Sequence, residues 1–231
     1  VKKKFLYFLS FSFLCALCFL LLFRNGIILD HLGLHLNSPF SKKVTVPDEY
    51  SSVDRNNNGI PDPIDFVKAA RVEVEQRTKY KSTYYAGGYP PDIEGVCTDV
   101  VWRAFIGANI VLKDLMDADI LDNTKLYPRV AGSPDPNIDF RRVPNQDVFF
   151  QRFADSLPTE LIIGDVNNLK QWQPGDIVVF LEGDFDHVGI VSDKRAKDGT
   201  PYLLHNTYPF AAEVKLSSFK SPITGHYRWK Y

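Results

Sequence analysis

The chain has 231 residues, room for one large domain and a short appendage. Its 45% hydrophobic and 24% charged residues fit an ordinary globular protein and exclude a disordered tail, a collagen-like fibre and a polytopic membrane protein. With 27 Lys plus Arg against 28 Asp plus Glu the formal net charge is −1, so no basic excess is available to hold nucleic acid, and three cysteines are too few for a disulfide scaffold.

Lys2, Lys3 and Lys4 precede an apolar run from Phe5 to Phe23 that carries no charge. As a helix it would be roughly 28 Å long, close to the about 30 Å of a bilayer core. The expectation is one N-terminal transmembrane helix within residues 1–25, with a cytoplasmic N-terminus and an extracytoplasmic body. Arg24, Asn25, Gly26 and Ile27 offer no good cleavage site, which favours an uncleaved signal anchor in the cell membrane over a cleaved, secreted form. Cys15 and Cys18 lie inside the run and read as small apolar residues of that helix rather than as lipidation sites. Cys97 is then the single thiol of an exported body, a candidate reactive group.

Residues 26–50 read as a linker. The stretch Asp54 to Asp65 is more specific. It carries oxygen side chains at loop positions 1, 3, 5, 9 and 12 and Gly59 at position 6, the spacing of an EF-hand-type calcium loop. Asp54, Asn56, Asn58, Asp62 and Asp65 would supply side-chain oxygens and Ile60 its carbonyl, for a structural Ca2+. Pro61 cannot donate to the bridge that pairs two such loops, so the loop would be solitary. The competing reading is an Asn/Gly turn before a helix capped by Asp62, with Pro63 at its first position. No organic cofactor is indicated.

Ile64, Val67, Ala70 and Val74 repeat at helical spacing and predict a helix of about 15 residues. A glycine- and proline-rich turn, Tyr84 to Pro91, follows. Val100, Val101, Ala104, Phe105 and Ala108 then predict a helix that starts near Cys97. Free N–H groups and the positive dipole end would favour a thiolate there and could face an oxyanion. Asp99 reads as a cap of this helix. Residues 111–122 are helical, 133–139 a loop, and Arg141-Arg142 leads into a short helix through Val148, Phe149 and Phe153. The arginine pair reads as a salt-bridged or solvated surface, with an anion-holding role as the alternative. From Trp172 onward, turns at Pro174-Gly175-Asp176, Gly183 to Asp186 and Asp198-Gly199 separate strands at Ile177–Leu181, His187–Val191 and Tyr202–Asn206, an antiparallel sheet.

A cysteine at a helix start and two histidines on neighbouring strands can form a nucleophile, base and orienter. Tyr84-x-x-Gly87-Gly88, Cys97, Pro174-Gly175-Asp176-Ile177-Val178-Val179-Phe180, His187-Val188-Gly189-Ile190-Val191 and Leu204-His205 resemble the NlpC-type papain-like cysteine peptidases, which cut bacterial cell-wall peptides. Residues 50–231 more closely resemble an uncharacterised bacterial family of that superfamily, through Gly95-Val96-Cys97-Thr98-Asp99-Val100-Val101, Asn137 to Asn145 and Ile223 to Arg228. The resemblance implies an α+β papain-like fold, N-terminal helices on an antiparallel sheet, over residues 51–231. It also implies Cys97 as nucleophile, His187 as base, His205 as third polar residue and Tyr84 as a substrate-side tyrosine. The implied activity is a cysteine peptidase or amidase acting on peptidoglycan peptides. A catalytically silent wall-binding module and a thiol acyltransferase use the same residues. Two departures stand out: Val96-Cys97-Thr98-Asp99 replaces the usual Asp-Cys-Ser-Gly, and about 90 residues separate Cys97 from His187.

Overall fold

The computed structural model describes residues 2–23, 26–37, 40–130, 132–183 and 185–230, and for residues 2, 20–23, 26 and 27 the backbone alone. Helix α1 spans Lys2–Phe23 and α2 Gly26–His31. Among the described residues no helix is long and apolar enough to cross a membrane. The expected helix within residues 1–25 is present as α1, but its expected crossing of a membrane finds no support among the described residues. Arg24, Asn25 and Asp184 lie outside the described residues.

Helix α3 runs Asp62–Glu75 behind Pro61. The capping alternative misplaces Asp62. That residue is the first of the helix, and its Oδ1 accepts the Arg55 N–H at 2.9 Å. Pro63 is tolerated because an N–H in the first turn has no helical acceptor. Short strands β1 (Lys79–Tyr80) and β2 (Glu94–Gly95) pair in parallel. Helices α4 (Cys97–Gly107), α5 (Leu112–Asp122) and α6 (Val143–Phe153) follow, then β3 (Ala154–Ser156) and the short α7 (Val166–Leu169). The remaining strands are β4 (Ile177–Phe180), β5 (His187–Arg195), β6 (Pro201–Asn206), β7 (Ala211–Lys215) and β8 (Gly225–Trp229).

These form a six-stranded antiparallel sheet in the order β3-β8-β4-β5-β6-β7. Both faces are covered. Ile177, Val179, Val188, Ile190 and Leu204 join Phe66, Phe105, Phe149 and Phe150 in the core under the helices. Val178, Phe180, Val191 and Leu203 meet Trp172 and Leu216 on the other face. Two covered faces explain why β4 is an unbroken apolar run rather than an alternating one. The fold is α+β, with helices packed on an antiparallel sheet as expected.

The Pro174-Gly175-Asp176 turn anchors this sheet. Asp176 is buried and accepts from Arg228 Nε and Nη2, both at 2.8 Å, and lies 3.1 Å from His226 Nε2. Residues of the expected linker lie along the body. Asp30 Oδ2 accepts the Lys215 N–H at 2.9 Å, Val44 N–H donates to Lys197 O at 2.8 Å, and Glu49 N–H donates to Gln173 Oε1 at 2.8 Å.

Candidate active site

Cys97 is the first residue of α4 and is 7% exposed. The helix start is fixed locally. The Asp99 carboxylate reaches back to accept the Val96 N–H at 2.7 Å, which satisfies a donor left orphaned by helix geometry. Asp99 also accepts from Trp102 Nε1 at 2.8 Å and, bidentately, from Arg141 Nε at 2.7 Å and Nη2 at 2.8 Å. Both partners are buried. Arg141 Nη1 donates onward to Thr83 O at 2.9 Å, and Thr98 Oγ1 donates to Arg141 O at 3.0 Å. The expected cap is thus also half of an ion pair that ties α4 to the segments before and after it. Arg141 is not a solvated surface residue and does not face an open anion site. Arg142 donates to Arg129 O and lies 3.8 Å from Asp139.

The expected thiolate is not the resting form. Burial pushes the Cys97 thiol up to about 12, and the Asp99 charge adds to this. The N–H groups of Val188, Thr98 and Cys97 face the sulfur and pull the other way, but they do not outweigh desolvation. The Val188 contact places the sulfur against the start of β5, one residue from His187.

His187 is buried and its Nε2 lies 2.9 Å from His205 Nδ1. The pairing of β5 with β6 explains this meeting. Ile190 opposes Leu204 and Val191 opposes Leu203, so the two histidines fall on one face of adjacent strands. Gly189 permits the approach: a Cβ there would stand 2.8 Å from Leu203 Cγ and 2.8 Å from Leu204 O. Phe219 stacks on His187 at 5.8 Å and meets His205 edge-on at 5.1 Å. Burial, then the charge of His31, lowers the His187 pKa to about 4; His205 is lowered by burial, His187 and His31. Among the described residues, the side-chain hydrogen bond of His187 is to His205 and not to the sulfur.

Tyr84 does not join this group. It is exposed, and its hydroxyl donates to Asp135 at 3.1 Å. The tyrosine whose ionisation Cys97 influences is Tyr80 on β1, raised by burial and then by Cys97. Sequence reasoning missed it because the motif spacing favoured the later tyrosine, and β1 is only two residues long.

The loop at 54–65 is ordered by its own groups. Asp54 accepts from Asn58 N–H at 3.2 Å and Gly59 N–H at 2.8 Å, and Asn58 Oδ1 accepts from Ile60 N–H at 2.8 Å. The Asn56 and Asn58 amides donate to Asp65 Oδ2 at 3.0 and 2.9 Å. Asp62 Oδ2 is buried without a hydrogen bond among the described residues. Among the described residues no group of three His, Cys, Asp or Glu is gathered as a metal site, so the loop as it stands turns its oxygens onto its own N–H groups.

Residues 67–229 match the model of a domain of unknown function, DUF1287. The chain belongs to that family. The match contains Cys97, His187 and His205, whereas α1, α2 and the 54–65 loop precede it. Among curated proteins the chain is similar to the uncharacterized protein YijF of Escherichia coli (strain K12), at 34% identity over 195 residues, covering 81% of this chain and 89% of YijF. Among solved structures it is similar to an N-acetylmuramoyl-L-alanine amidase from Bacteroides uniformis, at 15% identity and a TM-score of 0.44, covering 74% of this chain and 99% of the other.

Proposed function

We propose that the protein is a cysteine amidase or peptidase that acts on cell-wall peptidoglycan peptides. One observation supports this most: Cys97 rests against the N–H after His187, while His187 shares a 2.9 Å contact with His205. The substrate class comes from the motif resemblance, which the geometry leaves open.

In the proposed cycle the resting pair is a thiol and a neutral imidazole. The proton passes from Cys97 to His187 as sulfur attacks the amide carbonyl, so charge separates only in the transition state. The N–H groups around the sulfur, those of Cys97, Thr98 and Val188, are the nearest donors for the developing oxyanion. His187 then gives its proton to the leaving amine. Water adds to the thioester, its proton returns through His187, and the thiol is restored with release of the acid. His205 holds the imidazole. Tyr80, rather than Tyr84, is the tyrosine on the sulfur side.

The decisive experiment incubates the protein with purified peptidoglycan and reads the fragments by mass spectrometry. Wild-type digestion that disappears in Cys97→Ala is expected; equal digestion by both removes the hydrolase reading. A silent wall-binding module is the second reading. It is favoured by the buried, high-pKa thiol and would appear as peptidoglycan co-sedimentation without fragments. A ligated product with an added amine would point to acyl transfer instead.

We also infer that the chain is held at the cell membrane by the segment around α1, with the body extracytoplasmic. The three lysines before the apolar run support this; carbonate extraction of cell membranes tests it, and full release would overturn it. Calcium at the 54–65 loop rests on the two buried carboxylates, Asp62 and Asp65. Rotation of the Asn56 and Asn58 amides would present their oxygens to a cation. Isothermal titration with CaCl2 should give binding that Asp54→Ala abolishes; no heat from wild type leaves only a turn.

A further inference from the structure

His205 is fully buried and uses one ring nitrogen, Nδ1, on His187. Its other nitrogen, Nε2, is buried with no hydrogen-bond partner among the described residues. Two imidazoles joined by one hydrogen bond hold one proton between the facing nitrogens, so their tautomers are linked. A His187 that offers a basic Nδ1 must carry its proton on Nε2. His205 Nδ1 then accepts the hydrogen bond from that N–H, and the proton of His205 itself sits on Nε2. Something beside His205 must favour that tautomer.

The ring beside it comes from outside the family match. His31 closes α2, and its ring lies 5.6 Å from that of His205, perpendicular to it. The segment that carries His31 is anchored. Asp30 accepts the Lys215 N–H on β7 and contacts His35 Nδ1 at 3.0 Å; His35 Nε2 lies 3.6 Å from Glu213. The His31 ring also stands 6.4 Å from that of Phe210. It lines a cavity of about 360 Å³ whose titratable and charged groups are Asp30, His35, Glu75, Arg77, Lys194 and Glu213. The groups facing His205 are His187 and His31, with Phe219 closing a further side.

We propose that His31 is a positioning residue of the thiol–imidazole site: its perpendicular ring beside His205 holds His205 in the Nε2–H tautomer, and through it keeps His187 Nδ1 unprotonated and available to Cys97. A ring N–H set against an aromatic partner is a weak but directional contact. Here it needs only to choose between two tautomers of a ring already fixed in place. This inference rests on the Cys97–His187–His205 reading and extends the site into the segment that leads from α1.

The test uses the full chain in detergent with Cys15→Ser and Cys18→Ser, so that Cys97 is the sole thiol. Ring 15N shifts read the histidine tautomers, and iodoacetamide reads Cys97 between pH 7 and 10. In wild type His205 should be the Nε2–H tautomer. His31→Ala should mix the tautomers and slow alkylation roughly tenfold at the low end of the range, with a changed pH profile, as expected for a weakened general base. His31→Phe keeps a ring face and should restore most of both. A wild-type Nδ1–H tautomer at His205, or identical tautomers and profiles in wild type and His31→Ala, overturns the proposal; the first measurement needs no variant to fold. Loss of peptidoglycan hydrolysis as an activity, with the tautomer response intact, would sink the proposed substrate and leave the role of His31 standing.

Discussion

Protonation of His187 is expected to remove a large part of the stability of this fold. The ring is buried between Phe180 at 6.1 Å, Phe219 at 5.8 Å and His205 at 5.0 Å. Burial, followed by the charge of His31, brings its pKa from 6.5 to about 4. In the unfolded chain the imidazole takes a proton near its ordinary value. Between about pH 6.5 and 4 the unfolded state therefore binds more protons, and stability falls as pH falls. A shift of about 2.5 units at 1.36 kcal/mol per unit amounts to about 3 kcal/mol, out of a typical total of about 5–15 kcal/mol. The burial of His205 acts with the same sign. The assay is urea denaturation followed by circular dichroism from pH 7 to 4, on wild type and His187→Gln, with ring titration followed by NMR. Carboxylates titrate in both proteins and largely cancel in the difference. Wild type should lose about 3 kcal/mol more than the variant over this range. Parallel curves, or a folded-state titration of His187 near 6.5, would refute the argument.

Three further outcomes can be checked. Arg141→Met leaves the buried Asp99 carboxylate with only Val96 N–H and Trp102 Nε1–H and should cost about 3–5 kcal/mol in urea denaturation, with partial recovery in Asp99→Asn/Arg141→Met. Cys97 in the free protein should react with iodoacetamide at pH 7 about 10³-fold more slowly than free cysteine, since a thiol pushed up to about 12 holds far less thiolate than one of pKa about 8.5; an apparent pKa below 8 would contradict the buried-thiol geometry. Gly189→Ala pushes a methyl group into Leu203 and the Leu204 carbonyl and should cost about 1–3 kcal/mol; an unchanged melting temperature would show that β5 and β6 can yield there.

The expected helices and strands rest on local chemistry, and the structure bears out those that local chemistry governs. The 3.6-residue period of Ile64, Val67, Ala70 and Val74 marks α3, and the turn at Pro174-Gly175-Asp176, where Gly175 has φ +85°, marks the start of β4. A helix beginning at Cys97 and strands carrying His187 and His205 are legible in the same way. Strands β3 and β7 carry no such signal, since their identity comes from pairing with partners distant in sequence.

Sequence alone determined the helix after the 54–65 loop, the helix that begins at Cys97, the strands that carry His187 and His205, and their order, because period, turn residues and caps act within a few positions. Tertiary structure alone decided that Asp99 pairs with Arg141 across 42 positions, that the Tyr84 hydroxyl turns to Asp135, that His31 reaches His205, and that burial pushes the Cys97 thiol up. A helix dipole is a property of the few residues at a helix end and can be read from the chain. Desolvation is the sum of everything packed around an atom, and at Cys97 that sum is the larger of the two.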